Sequence, residues 1–285
     1  MSLGANEAVD EGVRELLDAP RYELMPFDSF GEQMGYLPDG SEITVTVSPT
    51  KGQDATIEWA EKAAEAGHDV VPHVAARYLE SEDHLDEIAA RMAEMGVEDI
   101  FVIAGDPEDP EGPYEGAYDA LVALEELGYE FEEVGISGYP EGHQFLSEET
   151  LQEAMDRKSP HATYITTQLC YDPEDIVVWT EEIRERGADL PIEVGIPGVL
   201  KYQRLLNISQ RVGVGDSLQF LQKTSGIFSF LRTLIGSRGK YTPDDLIDGL
   251  APHVGDPEYD YRGVHIYTFN EVPDTEDWRK KRLQG

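Results

Sequence analysis

The stretch Val134-Gly-Ile-Ser-Gly-Tyr-Pro-Glu-Gly-His143 decides how the chain is read. A short apolar run ends at Ile136, and a helical pattern opens near Ser147. Tyr139, Glu141 and His143 therefore fall just past the end of a strand. Side chains there are reachable from solvent yet held by a rigid element, which is where parallel α/β proteins keep their chemistry. The same pattern repeats outward in both directions.

The spacing of apolar and turn residues predicts strands over 21–26, 42–47, 69–74, 99–103, 133–136, 162–167, 191–196 and 263–268. Helices are predicted over 5–17, 56–65, 114–127, 147–158 and 174–186, with one more capped by Ser81 and ended by Gly96. Ser147 and Thr150 are rival caps for the fifth of these in chain order. Several helical segments cover 199–248, the last with Thr242 as cap, Pro243 at its first position and Gly249 as its stop. Eight strands alternating with helices point to a closed (β/α)8 barrel, a single domain over residues 1–285 with a short N-terminal helix. An open doubly wound sheet is the competing arrangement, weakened because no Gly-x-Gly-x-x-Gly follows a strand.

Composition narrows the function classes. The 285 residues carry 58 acidic and 22 basic side chains, a formal net charge of -36, which repels nucleic acids and anionic membranes. The acids are spread along helices rather than gathered in a tail, and so read as a halophile-like surface or as simple solubility. There is no apolar run of membrane-spanning length and no basic-then-apolar leader, so a cytoplasmic protein is expected. Cys170 is the single cysteine; it excludes an intrachain disulfide and reads as a packed thiol between Leu169 and Tyr171.

Barrel geometry collects residues far apart in sequence. Read in order, the strand ends carry Glu23, Ser48, His73, Asp106, Tyr139 with His143, Gln168, Pro197-Gly198, and His265 with Asn270. Each has a bland reading: strand alternation alone sets Glu23 facing outward, His73 and His265 fill the core edge, and Gly105-Asp106-Pro107 is a turn. No His-x-His or His-Glu-x-x-His spacing supports a metal, and no Gly-x-Ser-x-Gly elbow supports a serine nucleophile.

At these residues the chain resembles the methylenetetrahydrofolate reductase family, flavin-dependent (β/α)8 barrels. The pieces keep the family's order: Tyr22-Glu-Leu-Met-Pro26, Pro72-His73, Gly105-Asp106, Tyr139-Pro-Glu-Gly-His143, Ile165-Thr-Thr-Gln168-Leu-Cys-Tyr-Asp172, Ile196-Pro-Gly198 and His265-Ile-Tyr-Thr-Phe-Asn270. The resemblance implies reduction of 5,10-methylenetetrahydrofolate to 5-methyltetrahydrofolate, in one-carbon metabolism and methionine biosynthesis. A bound flavin, FAD rather than FMN, would first be reduced by NADH or NADPH. By the same resemblance Glu23 is the general acid that opens the folate's five-membered ring, and Asp106 stabilises the resulting cation beside flavin and pterin. Ser48 (or, with a shifted alignment, Thr46), His73, Gly105, Asp106, Tyr139, His143 and Lys158 would hold the flavin. Gln168, Asp106, His265 and Asn270 would hold the folate, with no metal.

Three departures stand out. Ala104 replaces an Arg usual before Gly-Asp, Glu271 replaces an Arg common after Asn270, and the segment between Gly198 and Gly249 aligns poorly. They keep two other functions open: a barrel flavoprotein oxidising an amine or proline, and a non-catalytic folate- or flavin-binding partner subunit. Relatives are often homo-oligomers, so a homo-oligomer is the expectation for assembly.

Overall fold

The predicted strands form and join edge to edge in a computed structural model that describes residues 3–212 and 239–284, with side chains over 9–208 and 239–284. They are β1 (Arg21–Leu24), β2 (Glu42–Val45), β3 (Asp69–Ala75), β4 (Asp99–Ile103), β5 (Glu133–Gly138), β6 (Tyr164–Thr167) and β7 (Ile192–Pro197). A short antiparallel pair follows, β8 (Leu200–Lys201) with β9 (Lys240–Tyr241), and then β10 (Tyr261–Tyr267). The eight long strands close into a parallel barrel in the order β1-β10-β7-β6-β5-β4-β3-β2. This is the (β/α)8 architecture. The 213–238 part of the predicted helical stretch lies outside the described residues.

The helices are α1 (Leu3–Asp18), α2 (Phe30–Met34), α3 (Gly52–Glu65), α4 (Glu82–Glu94), α5 (Ala117–Leu127), α6 (Glu148–Lys158), α7 (Pro173–Glu185), α8 (Tyr202–Val212), α9 (Asp244–Leu250) and α10 (Val272–Gln284). Strand alternation explains why they cover the barrel. Tyr22 and Leu24, Ile43 and Val45, Ile100 and Val102, and Val194 and Ile196 are all buried in one apolar cluster with Leu16, Ile57, Ile88 and Leu121 of the helices. Each such aliphatic side chain contributes about 1.5–3 kcal/mol on leaving water. Ser147 wins the cap of α6, its hydroxyl accepting from Thr150 N–H.

Three readings are corrected, beginning with the cap of α9, which is Pro243 and not Thr242, whose hydroxyl donates to the Asp244 carboxylate. Glu23 faces the barrel interior, because its neighbours Tyr22 and Leu24 take the outward, helix-covered face. Gly249 does not stop a helix but lies within α9; a Cβ there would sit 2.4 Å from Pro173 Cγ, so the glycine permits close approach to α7. The short α2, the C-terminal α10 and the β8–β9 pair were not expected from the sequence. No helix among the described residues is long and apolar enough to cross a membrane.

The end of the barrel where the strands begin is plugged by charge. Arg21 Nε lies 2.8 Å from Glu42 and 2.9 Å from Glu193, and its Nη2 lies 2.6 Å from Asp99. Arg262 reaches Glu133 at 2.6 Å and Glu193 at 2.9 Å, which the register shift between Tyr261 and Gly263 allows on a strand that also turns His265 inward. The Tyr164 ring lies under both guanidinium groups, at 4.6 and 4.0 Å, and its hydroxyl donates to Asp99 at 2.9 Å. Gly135 makes room for that ring, since a Cβ would lie 2.3 Å from Tyr164 Cζ.

Candidate active site

Two residues along β1 from Arg21, on the same inward face, stands Glu23. Its Oε2 lies 3.4 Å from His265 Nε2 and 3.8 Å from His73 Nε2. No arginine or lysine pairs with Glu23 among the described residues. His73 is 2 % exposed and neither of its ring nitrogens has a hydrogen-bond partner. Burial pulls its pKa down to about 4, against the opposing pull of the Glu23 carboxylate, so the ring is neutral at physiological pH. Gln53 of α3 fixes the strand beneath it, donating to His73 O at 2.7 Å and accepting from Ala75 N–H at 2.9 Å. The Phe101 ring meets His73 edge-on at 4.8 Å. Tyr267 packs on His265 at 4.8 Å and donates its hydroxyl to Thr167 O at 2.9 Å. Its phenol is held well above the ordinary tyrosine range, first by burial and then by the charges of Glu23 and Tyr139.

The loop after β4 carries Asp106 to the rim of the same mouth. Gly105 takes the left-handed conformation (φ 90°), and a side chain there would press on Tyr78 at 3.2 Å. Arg77 secures this loop: its N–H donates to Ala104 O, and its guanidinium to Pro107 O at 3.0 Å, Glu108 O at 3.2 Å and Glu115 O at 2.8 Å. The Arg77 guanidinium thus pins the loop beyond Ala104, from the turn that follows β3. The exposed Asp106 carboxylate bears on Tyr139, whose pKa rises mainly through burial, and on His143, whose pKa burial lowers. Tyr139 and His143 meet edge to face at 5.5 Å. Glu23 and Asp106 therefore share one end of the barrel, joined through Tyr267 and Tyr139.

Lys158, at the end of α6, is 6 % exposed and has no carboxylate partner among the described residues. Its Nζ donates to Ser137 O at 3.1 Å, and burial lowers its pKa to about 8. The remaining candidates are placed as follows. Ser48 is buried in a turn closed by its bridge to Gly52, its hydroxyl 3.1 Å from Thr50 Oγ1. Half-buried Gln168 accepts Leu169 N–H at 2.7 Å. Asn270, in the left-handed region (φ 57°), donates to Met25 O and Ser29 Oγ, both at 3.1 Å, and accepts Met25 N–H at 2.9 Å. Its amide closes the seam between β1 and β10, with both N–H donors committed and Oδ1 left able to accept a second bond. Tyr267 and Gln53 escaped the sequence reading; the alternation from His265 could have flagged Tyr267, whereas nothing local marks Gln53.

The family model for methylenetetrahydrofolate reductase matches residues 26–223, more than half of the chain. The chain belongs to the methylenetetrahydrofolate reductase family. Methylenetetrahydrofolate reductase 2 of Saccharomyces cerevisiae is 26% identical over 137 residues, 44% of this chain and 23% of the relative. Methylenetetrahydrofolate reductase 1 of Schizosaccharomyces pombe is 26% identical over 150 residues, 50% and 25% respectively. The chain spans about a quarter of the length of the curated relatives it matches. Glu23, His265 and Asn270 lie outside the span matched to the methylenetetrahydrofolate reductase family model, and it is barrel closure that brings them to its residues.

The donor set suits a flavin. The ring of His73 offers Nδ1 unpaired in a buried wall, and Lys158 is a buried cation lacking a counter-charge among the described residues, as a dinucleotide's diphosphate would supply.

Proposed function

We propose that this chain reduces 5,10-methylenetetrahydrofolate to 5-methyltetrahydrofolate, drawing electrons from NADH or NADPH through bound FAD. The observation that carries the reading is Glu23: a carboxyl group inside the barrel, faced by two imidazoles and by no fixed cation among the described residues. An adjacent arginine would favour the anion of such a group. A general acid must carry a proton and give it up, and an imidazole can accept from the carboxyl or donate to the carboxylate. Bound flavin supplies the chemistry of accepting a hydride from nicotinamide and passing it to the one-carbon unit.

The chain's own residues do the rest. Glu23 delivers a proton to a ring nitrogen of the folate, opening the bridged one-carbon unit to a cation. Asp106, kept at the rim by Gly105 and Arg77, sets a negative charge beside that cation. Lys158 neutralises the dinucleotide phosphates, and Tyr139, His143 and His73 wall the flavin.

The test is an absorbance spectrum of pure protein loaded with FAD, followed by anaerobic half-reactions. Bleaching by NADH or NADPH and recolouring by methylenetetrahydrofolate is the expected result. Protein that takes up neither FAD nor FMN would sink the proposal. Flavin reduced by an amine or proline, with no folate turnover, would replace it by the other oxidoreductase reading.

A further inference from the structure

Glu23 is bracketed. His265 comes from β10, the immediate neighbour of β1, while His73 comes from β3, two strands away on the other side. Both direct Nε2 at the same oxygen, Oε2, at 3.4 and 3.8 Å, with their ring centroids 6.4 Å apart. Phe101 closes the space between them, 4.8 Å from one ring and 6.3 Å from the other. A buried polar ring without a partner is destabilising, a cost that leucine or phenylalanine at residue 73 would avoid. Phe101 already shows that this layer accommodates an apolar ring. The polar atoms of His73 are thus retained for something within reach, and Glu23 Oε2 is the titratable atom in front of its Nε2.

We propose that His73 and His265 are positioning residues for Glu23: His73 Nε2, 3.8 Å from Oε2 here, closes on it to accept the carboxyl O–H before transfer, and His265 Nε2–H donates to the carboxylate left after it. The inference rests on reading Glu23 as the proton donor. The balance is simple. The Glu23 O–H bond breaks and an N–H bond forms on the substrate; one proton from water later restores the carboxyl, and neither imidazole changes its charge. Among the described residues three titratable groups face Glu23: His73 from β3, and His265 and Tyr267 from β10. Tyr267 has its hydroxyl committed to Thr167 O, and Thr44 and Phe101, the residues of β2 and β4 that face inward at the level of Glu23, carry no charge. The two imidazoles are therefore the groups that can answer a change at Oε2.

Because one ring is assigned as acceptor and the other as donor, their removal has opposite signs. In the folate half-reaction of FAD-loaded protein, His73→Phe destabilises the protonated acid and moves the pH midpoint down, by roughly half to one unit. His265→Phe destabilises the anion and moves the midpoint up by a similar amount, while His265→Gln, which keeps a donor near the Nε2 position, returns it toward wild type. A second readout needs neither flavin nor turnover. In 15N-histidine-labelled protein, the His73 ring should titrate at lower pH in Glu23→Gln than in wild type, and the Nε2 resonances of both rings should shift. Midpoints that stay put or move the same way in both Phe variants, with unmoved ring resonances in Glu23→Gln, would overturn the bracket alone. Glu23→Gln protein that reoxidises on folate at the wild-type rate would overturn the underlying reading of Glu23 instead.

Discussion

The two ends of this barrel treat the same side chain in opposite ways. At the strand starts, Glu193 and its fellow acids meet Arg21 and Arg262, with a tyrosine ring wedged under both guanidinium groups. One layer up, Glu23 meets only imidazole and phenol among the described residues. An arginine never releases its proton, so the lower acids stand against fixed cations, even where burial pushes the Asp99 and Glu42 carboxyls upward. The upper carboxylate has no such fixed cation beside it among the described residues, only the rings of His73 and His265. A buried acid is made structural or reactive by the kind of base beside it, and burial alone does not decide which.

The contrast is broken most severely by removing the pin. Arg21→Met leaves Glu42, Asp99 and Glu193 without their shared counter-charge and should cost about 3–5 kcal/mol in urea unfolding. A loss below about 1 kcal/mol would mean the lower plug holds nothing together. Glu23→Gln should do the reverse, shifting stability by under about 1 kcal/mol while slowing the folate half-reaction by about 10²–10⁴-fold in stopped-flow absorbance. Lys158→Met removes a buried cation and should weaken FAD about 10–100-fold in a fluorescence titration, with the fold as stable as before or more so.

The smallest effect is a pH dependence at the lower end. Burial raises the Asp99 pKa from 3.8 to about 7, against the pull of Arg21. The folded protein therefore binds this proton more tightly than the unfolded chain does. That stabilisation is complete below about pH 4 and is lost as pH rises through about 7. Asp99→Asn should flatten the fall in Tm between pH 5 and 8, by roughly 2–4 °C in differential scanning calorimetry. An unchanged slope would place the titration elsewhere in the plug.

Much of the upper end was legible because its residues sit in short strings with turn chemistry: Gly105-Asp106-Pro107, Tyr139-Pro-Glu-Gly-His143 and Pro197-Gly198 announce strand ends directly. The lower plug was not legible. Arg21, Glu42, Asp99 and Glu133 each open a strand, where a charge reads as ordinary surface. Only the closed register sets them against one another. The bland, outward reading of Glu23 fails for a related reason: in a barrel covered by helices both faces of a strand are buried, so apolar neighbours do not say which way the charge points. Gly249 misled because a glycine near a helix end serves as a stop or as a contact point, and Pro173 lies 70-odd positions away in sequence. Arg77, which nails down the Asp106 loop through backbone carbonyls, left no sequence signature because carbonyls have none.

The seam has a temporal meaning. Glu23 belongs to the first strand laid down, yet its nearest base lies 242 positions later, and Thr268 and Asn270 tie the two strands through Glu23 O, Met25 and Ser29. On a translating ribosome the acid is made early and stays unfurnished until the final strand emerges and docks. A chain that stops short of β10 lacks the partner of Glu23, and the pair is made in the same event that closes the barrel.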